Sequence, residues 1–261
     1  MLDQAAIEEM AAIVDGAQTC GHTIAKLTDR HPGLTVDDGY AVQDAVLRLW
    51  QGRGRRIAGY KAGLTSQAKM RQMGVSEPSF GVLMGDTCDA EGGAVPTAGL
   101  IHPRVEAEIA YVIGRELSGP AVTIDQVHAA TDFIQPAIEI LDSRFEKFRF
   151  DLPSVIADNG SSARFVLGGR MRRPEDLDLT AIGIVLEINA KQVGLTCSGA
   201  VLGHPARAVQ MLVNWLHGRG QSLPAGSIVL TGGATEAVPI VKGDIVCARF
   251  QDMGSVHVRI D

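Results

Sequence analysis

The stretch Arg104-Val105-Glu106-Ala107-Glu108-Ile109-Ala110-Tyr111-Val112-Ile113 constrains this chain more than any other. Its aliphatic and aromatic content reads as a strand. On a strand, residues i and i+2 share a face and lie roughly 6.6–7 Å apart. Glu106 and Glu108 therefore project together, while Val105, Ala107 and Ile109 face the other way. Neighbouring carboxylates repel unless a proton or a cation sits between them. Oxygen donors suit a hard divalent ion such as Mg²⁺ or Mn²⁺. For this pair alone, a solvated face on an edge strand is the competing explanation. A third acid interrupts the apolar run Pro136-Ala137-Ile138-Glu139-Ile140-Leu141-Asp142. An acid between two isoleucines either faces outward on a half-exposed strand or is held inside by a counter-charge. Converging, the three carboxylates would make an open site completed by water or substrate oxygens.

The pattern along the rest of the chain sets the frame for that strand. Ala5 to Val14 is rich in helix formers. A second helix is expected from Asp37 or Asp38, through Tyr40, Val42, Val46, Leu47 and Trp50, to the stop at Gly52-Arg53-Gly54. His31-Pro32-Gly33 between them is a turn. From about Ile57, short β-like runs alternate with Gly and Pro: Val105 to Ile113, Pro136 to Leu141, Phe165 to Leu167, Ile182 to Ile188, Ser227 to Thr231, Ile245 to Phe250 and Ser255 to Ile260. Helices are expected at Ile124 to Phe133 and at Pro205 to His217, where Val209, Leu212, Val213 and Leu216 form one apolar face. No internal repeat or low-complexity linker occurs. The expected fold is α+β, with a small helical region at 1–56 packed on a mixed β-sheet roll or barrel at 57–261 that carries the metal site.

Composition removes several classes of function. With 24 basic against 30 acidic residues the net charge is −6, and aromatics are 5%, which disfavours nucleic acid or an anionic membrane as partner. No window approaches 18 uninterrupted apolar residues, and Met1-Leu2-Asp3-Gln4-Ala5 does not begin a signal peptide. Cys20, Cys88, Cys197 and Cys247 include no Cys-x-x-Cys pair, so neither zinc nor dithiol chemistry is indicated, and a reduced, cytoplasmic protein is expected. The P-loop, G-x-G-x-x-G, H-E-x-x-H and G-x-S-x-G signatures are all missing.

Several stretches together resemble the fumarylacetoacetate hydrolase superfamily, in its hydratase/decarboxylase branch of aromatic meta-cleavage pathways. They are Gly59-Tyr60-Lys61-Ala62-Gly63-Leu64-Thr65-Ser66, Gly74-Val75-Ser76-Glu77-Pro78-Ser79-Phe80-Gly81, the Glu106-x-Glu108 strand, Pro136 to Arg144, Ala157-Asp158-Asn159-Gly160-Ser161-Ser162 and Met253-Gly254-Ser255-Val256. The resemblance implies that Glu106, Glu108 and Glu139 bind Mg²⁺, with Mn²⁺ the alternative, and that Lys61 acts as an acid/base or electrostatic residue. Hydratases of the branch carry an acid where this chain has Ser79. The segments Asp142 to Leu152 and Leu230 to Val238 look like the decarboxylase version. Gly160 departs from the usual alanine.

The implied reaction is decarboxylation of a 2-keto dicarboxylate, 2-oxo-3-hexenedioate, in which electrons released by the departing carboxylate reach the C2 oxygen. Arg144 is a candidate for orienting the substrate, or a structural partner of Asp142 or Asp151. Ser161 is a candidate hydrogen-bond donor to substrate, or simply a turn residue. His102 and His204 read as structural neighbours. Met70 and Met73, with Lys69 and Arg71, are expected on a short covering helix or in the core. Competing activities are diene hydration, acylpyruvate hydrolysis and a non-catalytic partner subunit. A homo-oligomer, and a complex with the pathway hydratase, are the expected assemblies.

Overall fold

A computed structural model describes residues 2–66, 70 and 77–261. Helix α1 (Gln4–Cys20) starts at Asp3, whose side chain accepts from the Ala6 N–H, and stops at the left-handed Gly21. A short α2 (Leu27–Arg30) leads to α3 (Val36–Gly52). The expected cap at Asp37 or Asp38 is corrected: Thr35 caps α3, and Asp38 closes a capping box from its first turn. Ile7, Met10, Ala11 and Val14 recur at helical spacing and pack on Val42, Val46 and Trp50 of α3.

The strands and remaining helices follow in order: β1 (Ile57–Gly63), β2 (Ser79–Met84), β3 (Cys88–Asp89), β4 (Ala94–Val95), β5 (Arg104–Ile113), α4 (Ile124–Ala130), β6 (Thr131–Leu141), α5 (Leu152–Ala157), β7 (Ser162–Leu167), β8 (Gly183–Ile188), β9 (Lys191–Cys197), α6 (Ala206–Gly218), β10 (Ile228–Leu230), β11 (Val238–Pro239), β12 (Ile245–Phe250) and β13 (Gly254–Ile260). One expected helix is cut short. The chain leaves α4 at Ala130, and Thr131 to Phe133 open β6 by pairing with Ile113 and Val112. Cross-strand pairing there outweighs the helical pattern upstream.

Among the described residues, one mixed sheet runs β2-β1-β10-β5-β6-β7-β3, with β11 also on β5, and a second runs β4-β13-β12-β8-β9. Val105, Ala107 and Ile109 of β5 and Ile138 and Ile140 of β6 point between the sheets, where they join Val246, Ala248, Val256 and Val258 in the main core. Val209, Leu212, Val213 and Leu216 of α6 complete that core. The helical region shares a second core with the sheet, because Val82 and Met84 of β2 enter the α1–α3 cluster. Edge strand β9 leaves Val193 and Leu195 exposed, the latter at 69%. Among the described residues no helix is long and apolar enough to cross a membrane.

Candidate metal centre

The other face of the large sheet holds the acids. In the β5–β6 ladder Glu106 lies directly opposite Glu139, and Glu108 opposite Ala137. The strict alternation of a strand then puts all three carboxylates on one face. One oxygen of each lies within 4.8 Å of one oxygen of the other two, and all three residues are buried. Because β5 is an interior strand, hydrogen-bonded to β10 and β6, the solvated-edge explanation does not hold.

The state of those oxygens is informative. Glu108 Oε2 accepts from the Gly232 N–H at 2.7 Å, while its Oε1 is buried without a partner. Both Glu139 oxygens are likewise buried without a hydrogen bond, although Lys61 Nζ stands 2.9 Å from Oε1 as an ion pair out of hydrogen-bond alignment. Burial, then the charges of Glu139 and Glu106, push the Glu108 carboxyl well above the usual range. Burial also raises Glu139, against the pull of Lys61. Orphaned buried oxygens are costly unless something binds them. A hard divalent cation fits this all-oxygen donor set. Gly232 and Gly233, just after β10, close over it: a β-carbon on Gly233 would collide with the Glu106 carboxylate, and one on Gly232, at φ +101°, with Thr65.

Lys61 belongs to β1, three strands from Glu139 along β1-β10-β5-β6. Three strand spacings are roughly 14 Å on a flat sheet, and Lys61 aligns through the ladder with Gln135, four residues from Glu139, so the 2.9 Å contact requires the sheet to curl around the acids. The ammonium, on a residue only 3% exposed, also donates to the Gly160 carbonyl at 3.0 Å. That carbonyl is aimed by three successive left-handed residues, Asn159 (φ 51°), Gly160 (φ 62°) and Ser161 (φ 58°). The Asn159 amide fastens the turn to β2, accepting from Val82 N–H and donating to Val82 C=O, each at 2.8 Å. Opposite Lys61, Gly81 has no room for a β-carbon against Asn159.

Two expected site residues sit behind this turn. Ser161 Oγ donates to Asp158 Oδ2 at 3.2 Å. The fully buried Arg144 pairs through Nε with Asp158, and also donates to the carbonyls of Asp142 and Asp158. The acidic partner of Arg144 is therefore Asp158, in place of the expected Asp142 or Asp151 side chains. Desolvation pushes the Asp158 carboxyl up to about 6, against the opposing charge and hydrogen bonds of Arg144. His204 Nδ1 accepts from the Ala206 N–H at 3.1 Å and its ring lies beside His128, a structural setting. Lys69, Arg71 and Met73 lie outside the described residues; Met70 N–H bonds Ser66 C=O at 2.9 Å. Sequence reasoning missed Asp158 and Asn159, although Asn159-Gly160 is a pair that tolerates left-handed backbone.

Comparison with known proteins agrees with this geometry. The model of the fumarylacetoacetate (FAA) hydrolase C-terminal family matches residues 57–261. A 4-oxalocrotonate decarboxylase of Pseudomonas sp. (strain CF600) is 48% identical over 250 residues, covering 96% of this chain and 95% of that protein. A 2-hydroxyhexa-2,4-dienoate hydratase of Comamonas testosteroni is 37% identical, covering 99% of each. The solved 4-oxalocrotonate decarboxylase from Pseudomonas putida G7, complexed with magnesium and adipate, superposes with a TM-score of 0.97 at 44% identity, covering 100% of this chain and 99% of that one. Three buried glutamates on a curled sheet, a lysine beside them and near full-length similarity to such enzymes give one assignment: the chain belongs to the fumarylacetoacetate hydrolase family.

Proposed function

We propose that the protein is a divalent-metal-dependent decarboxylase that converts 2-oxo-3-hexenedioate (4-oxalocrotonate) to 2-hydroxypenta-2,4-dienoate and CO₂. The observation that carries this is the buried trio Glu106, Glu108 and Glu139, each bringing one carboxylate oxygen within 4.8 Å of the others, with Glu108 Oε1 and the Glu139 oxygens outside any hydrogen bond and Lys61 beside them. The trio would hold Mg²⁺, or Mn²⁺ in its place. When bound, the cation supplies a Lewis acid for the keto-acid end of the substrate, where negative charge grows.

In the reaction the C5–C6 bond breaks and C6 leaves as CO₂. Its electron pair forms C4=C5, the former C3=C4 pair becomes C2=C3, and the C2 carbonyl becomes an enolate, later protonated. The residues of this chain stabilise that enolate and exclude water. Lys61, anchored by Gly160 C=O and Glu139, is placed to face the developing oxygen charge and to hold or return its proton. Ser161, near the same turn, is the proposed hydrogen-bond donor to substrate, a role for which its hydroxyl must turn from Asp158. Arg144 acts through Asp158 as a positioning residue for that turn.

Hydration of the diene is the second reading, supported by the hydratase relative. Against it stands Ser79, a buried serine that pairs with Gly63 on the Lys61 face, where hydratases of the resembled branch carry an acid. Supplying 2-oxo-3-hexenedioate and 2-hydroxypenta-2,4-dienoate separately, with Mg²⁺ or EDTA, separates the two. CO₂ release that EDTA abolishes supports decarboxylation, and hydration alone refutes it. The reading extends to a cytoplasmic enzyme, in keeping with four free cysteines. It also extends to a homo-oligomer, supported by the exposed apolar edge of β9, and to a complex with a hydratase that consumes the product.

A further inference from the structure

We infer that Arg104 receives the carboxylate of the substrate farthest from the acid trio, and that Phe148 holds it there. This deepens, and rests on, the dicarboxylate reading above. Arg104, Glu106 and Glu108 occupy alternate positions of β5 and therefore share its face. Arg104 is half-buried at the strand's start, whereas Val105 to Tyr111 are buried, so it stands at the mouth of the site. Its Cα lies one strand repeat, roughly 6.6–7 Å, from that of Glu106. A six-carbon chain spans about that length.

The guanidinium is available. Other arginines at least partly withdrawn from solvent are paired: Arg144 with Asp158, Arg164 with Asp89 and Arg219 with Asp44. The Arg104 guanidinium makes no hydrogen bond or ion pair with the described residues. It lies 4.3 Å from the centroid of the Phe148 ring instead. A cation over an aromatic face is oriented without using up its N–H donors. Phe148 is held in the left-handed region (φ 58°), directly after Lys147 (φ 56°), a backbone that non-glycine residues adopt only under constraint. His102 packs against the same ring at 5.1 Å, and its Nε2 is enclosed without a partner. One ring thus gathers a free guanidinium and an unsatisfied imidazole nitrogen, both able to bind a carboxylate.

Decarboxylation dissipates the charge on the departing carboxylate, so a contact to it is made in the ground state and weakened in the transition state. Arg104 is therefore a specificity-determining residue, whose loss should raise KM and weaken binding without lowering kcat. The test is calorimetric binding of 2-oxoadipate and 2-oxohexanoate to the Mg²⁺-loaded protein. The two ligands differ only in the distal carboxylate, and without a C3=C4 double bond neither can react by the proposed route. Arg104→Met should weaken 2-oxoadipate about tenfold or more and leave 2-oxohexanoate within about twofold. Arg104→Lys should restore part of the difference, and Phe148→Leu, which keeps the charge but frees it, should lose part. Equal weakening of both ligands, or of neither, overturns the inference. Because only binding is read, discrimination that survives in a protein without decarboxylase activity would sink the proposed reaction and leave this assignment standing.

Discussion

Glu106 and Glu139 stand directly opposite each other across the antiparallel β5–β6 ladder, on a face closed to solvent. Like charges at opposed positions of a sheet repel, and Glu108 adds a third carboxylate one pleat along. Burial magnifies the repulsion, since the low-dielectric surroundings leave little screening. Lys61 offsets part of it at Glu139, and the Gly232 N–H offsets part at Glu108. The remainder is available to a divalent cation, so metal affinity and local strain have one origin.

Metal binding should therefore depend on pH in a defined direction. The raised carboxyls of Glu108 and Glu139 retain protons in the metal-free fold that the unfolded chain has released. The stability of the metal-free protein should fall as pH rises through that window, since the folded state then binds more protons than the unfolded one. Mg²⁺ displaces those protons. Its affinity should rise with pH, with proton release on binding, and the gain in Tm from Mg²⁺ should grow in step. Titration calorimetry in buffers of different ionisation enthalpy checks the proton count.

Glu108→Gln should separate stability from activity. Removing one of three crowded carboxylates should raise the Tm of the metal-free protein by about 2–4 °C, corresponding to ~1 kcal/mol. The same change should weaken Mg²⁺ binding and lower turnover by orders of magnitude, because a ligand oxygen is lost. Thermal unfolding with and without Mg²⁺, beside steady-state rates, reads both effects.

Gly233→Ala places a methyl group against the Glu106 carboxylate without altering any charge. The expected outcome is Mg²⁺ affinity reduced about tenfold or more through displacement of Glu106, with circular dichroism unchanged.

The Lys61 anchor should be divisible into two parts. Lys61→Met removes the cation and should lower kcat by about 10²–10⁴-fold. Asn159→Ala leaves Lys61 intact but strips Val82 N–H and C=O of their partners, at about 1–3 kcal/mol for each orphaned group. It also frees the Gly160 carbonyl, so kcat should fall alongside stability. Denaturant unfolding and rate measurements on the two variants check this.

Away from the site, His128 and His204 lie with ring centroids 5.5 Å apart. Burial lowers both, and the His128 charge lowers His204 further. As pH falls below the ordinary histidine value of 6.5, the unfolded chain gains protons that the folded one refuses. Stability should be undiminished by this pair above about pH 7 and decline toward pH 5. His128→Phe should flatten that decline in a series of Tm measurements.

The acids were legible because carboxylates inside apolar strand patterns are conspicuous, and alternation alone put Glu106 and Glu108 on one face. Which residue opposes Glu106 was not legible, since period-two patterning fixes a face and leaves the register open. The nearness of Lys61 to Glu139 depends on curling across three strand spacings, which no local pattern carries. Strand β1 escaped notice because Ile57-Ala58-Gly59-Tyr60-Lys61-Ala62-Gly63 is rich in small residues of low strand propensity. The fit of Gly59 explains the composition: a β-carbon there would strike the backbone of Ile228 on β10. The acid that Arg144 meets was not legible, since it comes not from the neighbouring Asp142 or Asp151 but from the end of α5, brought near only when that helix folds back.

The one-to-one alignment of β5 with β6 persists from Arg104 to Val112 and shifts only beyond it. Sliding the ribbon by a single position would turn the glutamates of one strand into the hydrocarbon interior and carry isoleucines to the cavity. A misaligned hairpin therefore offers a dissolved cation nothing to hold, whereas the native one captures it. Magnesium present while the chain refolds would act as a proofreader, enriching molecules whose ladder closed in step.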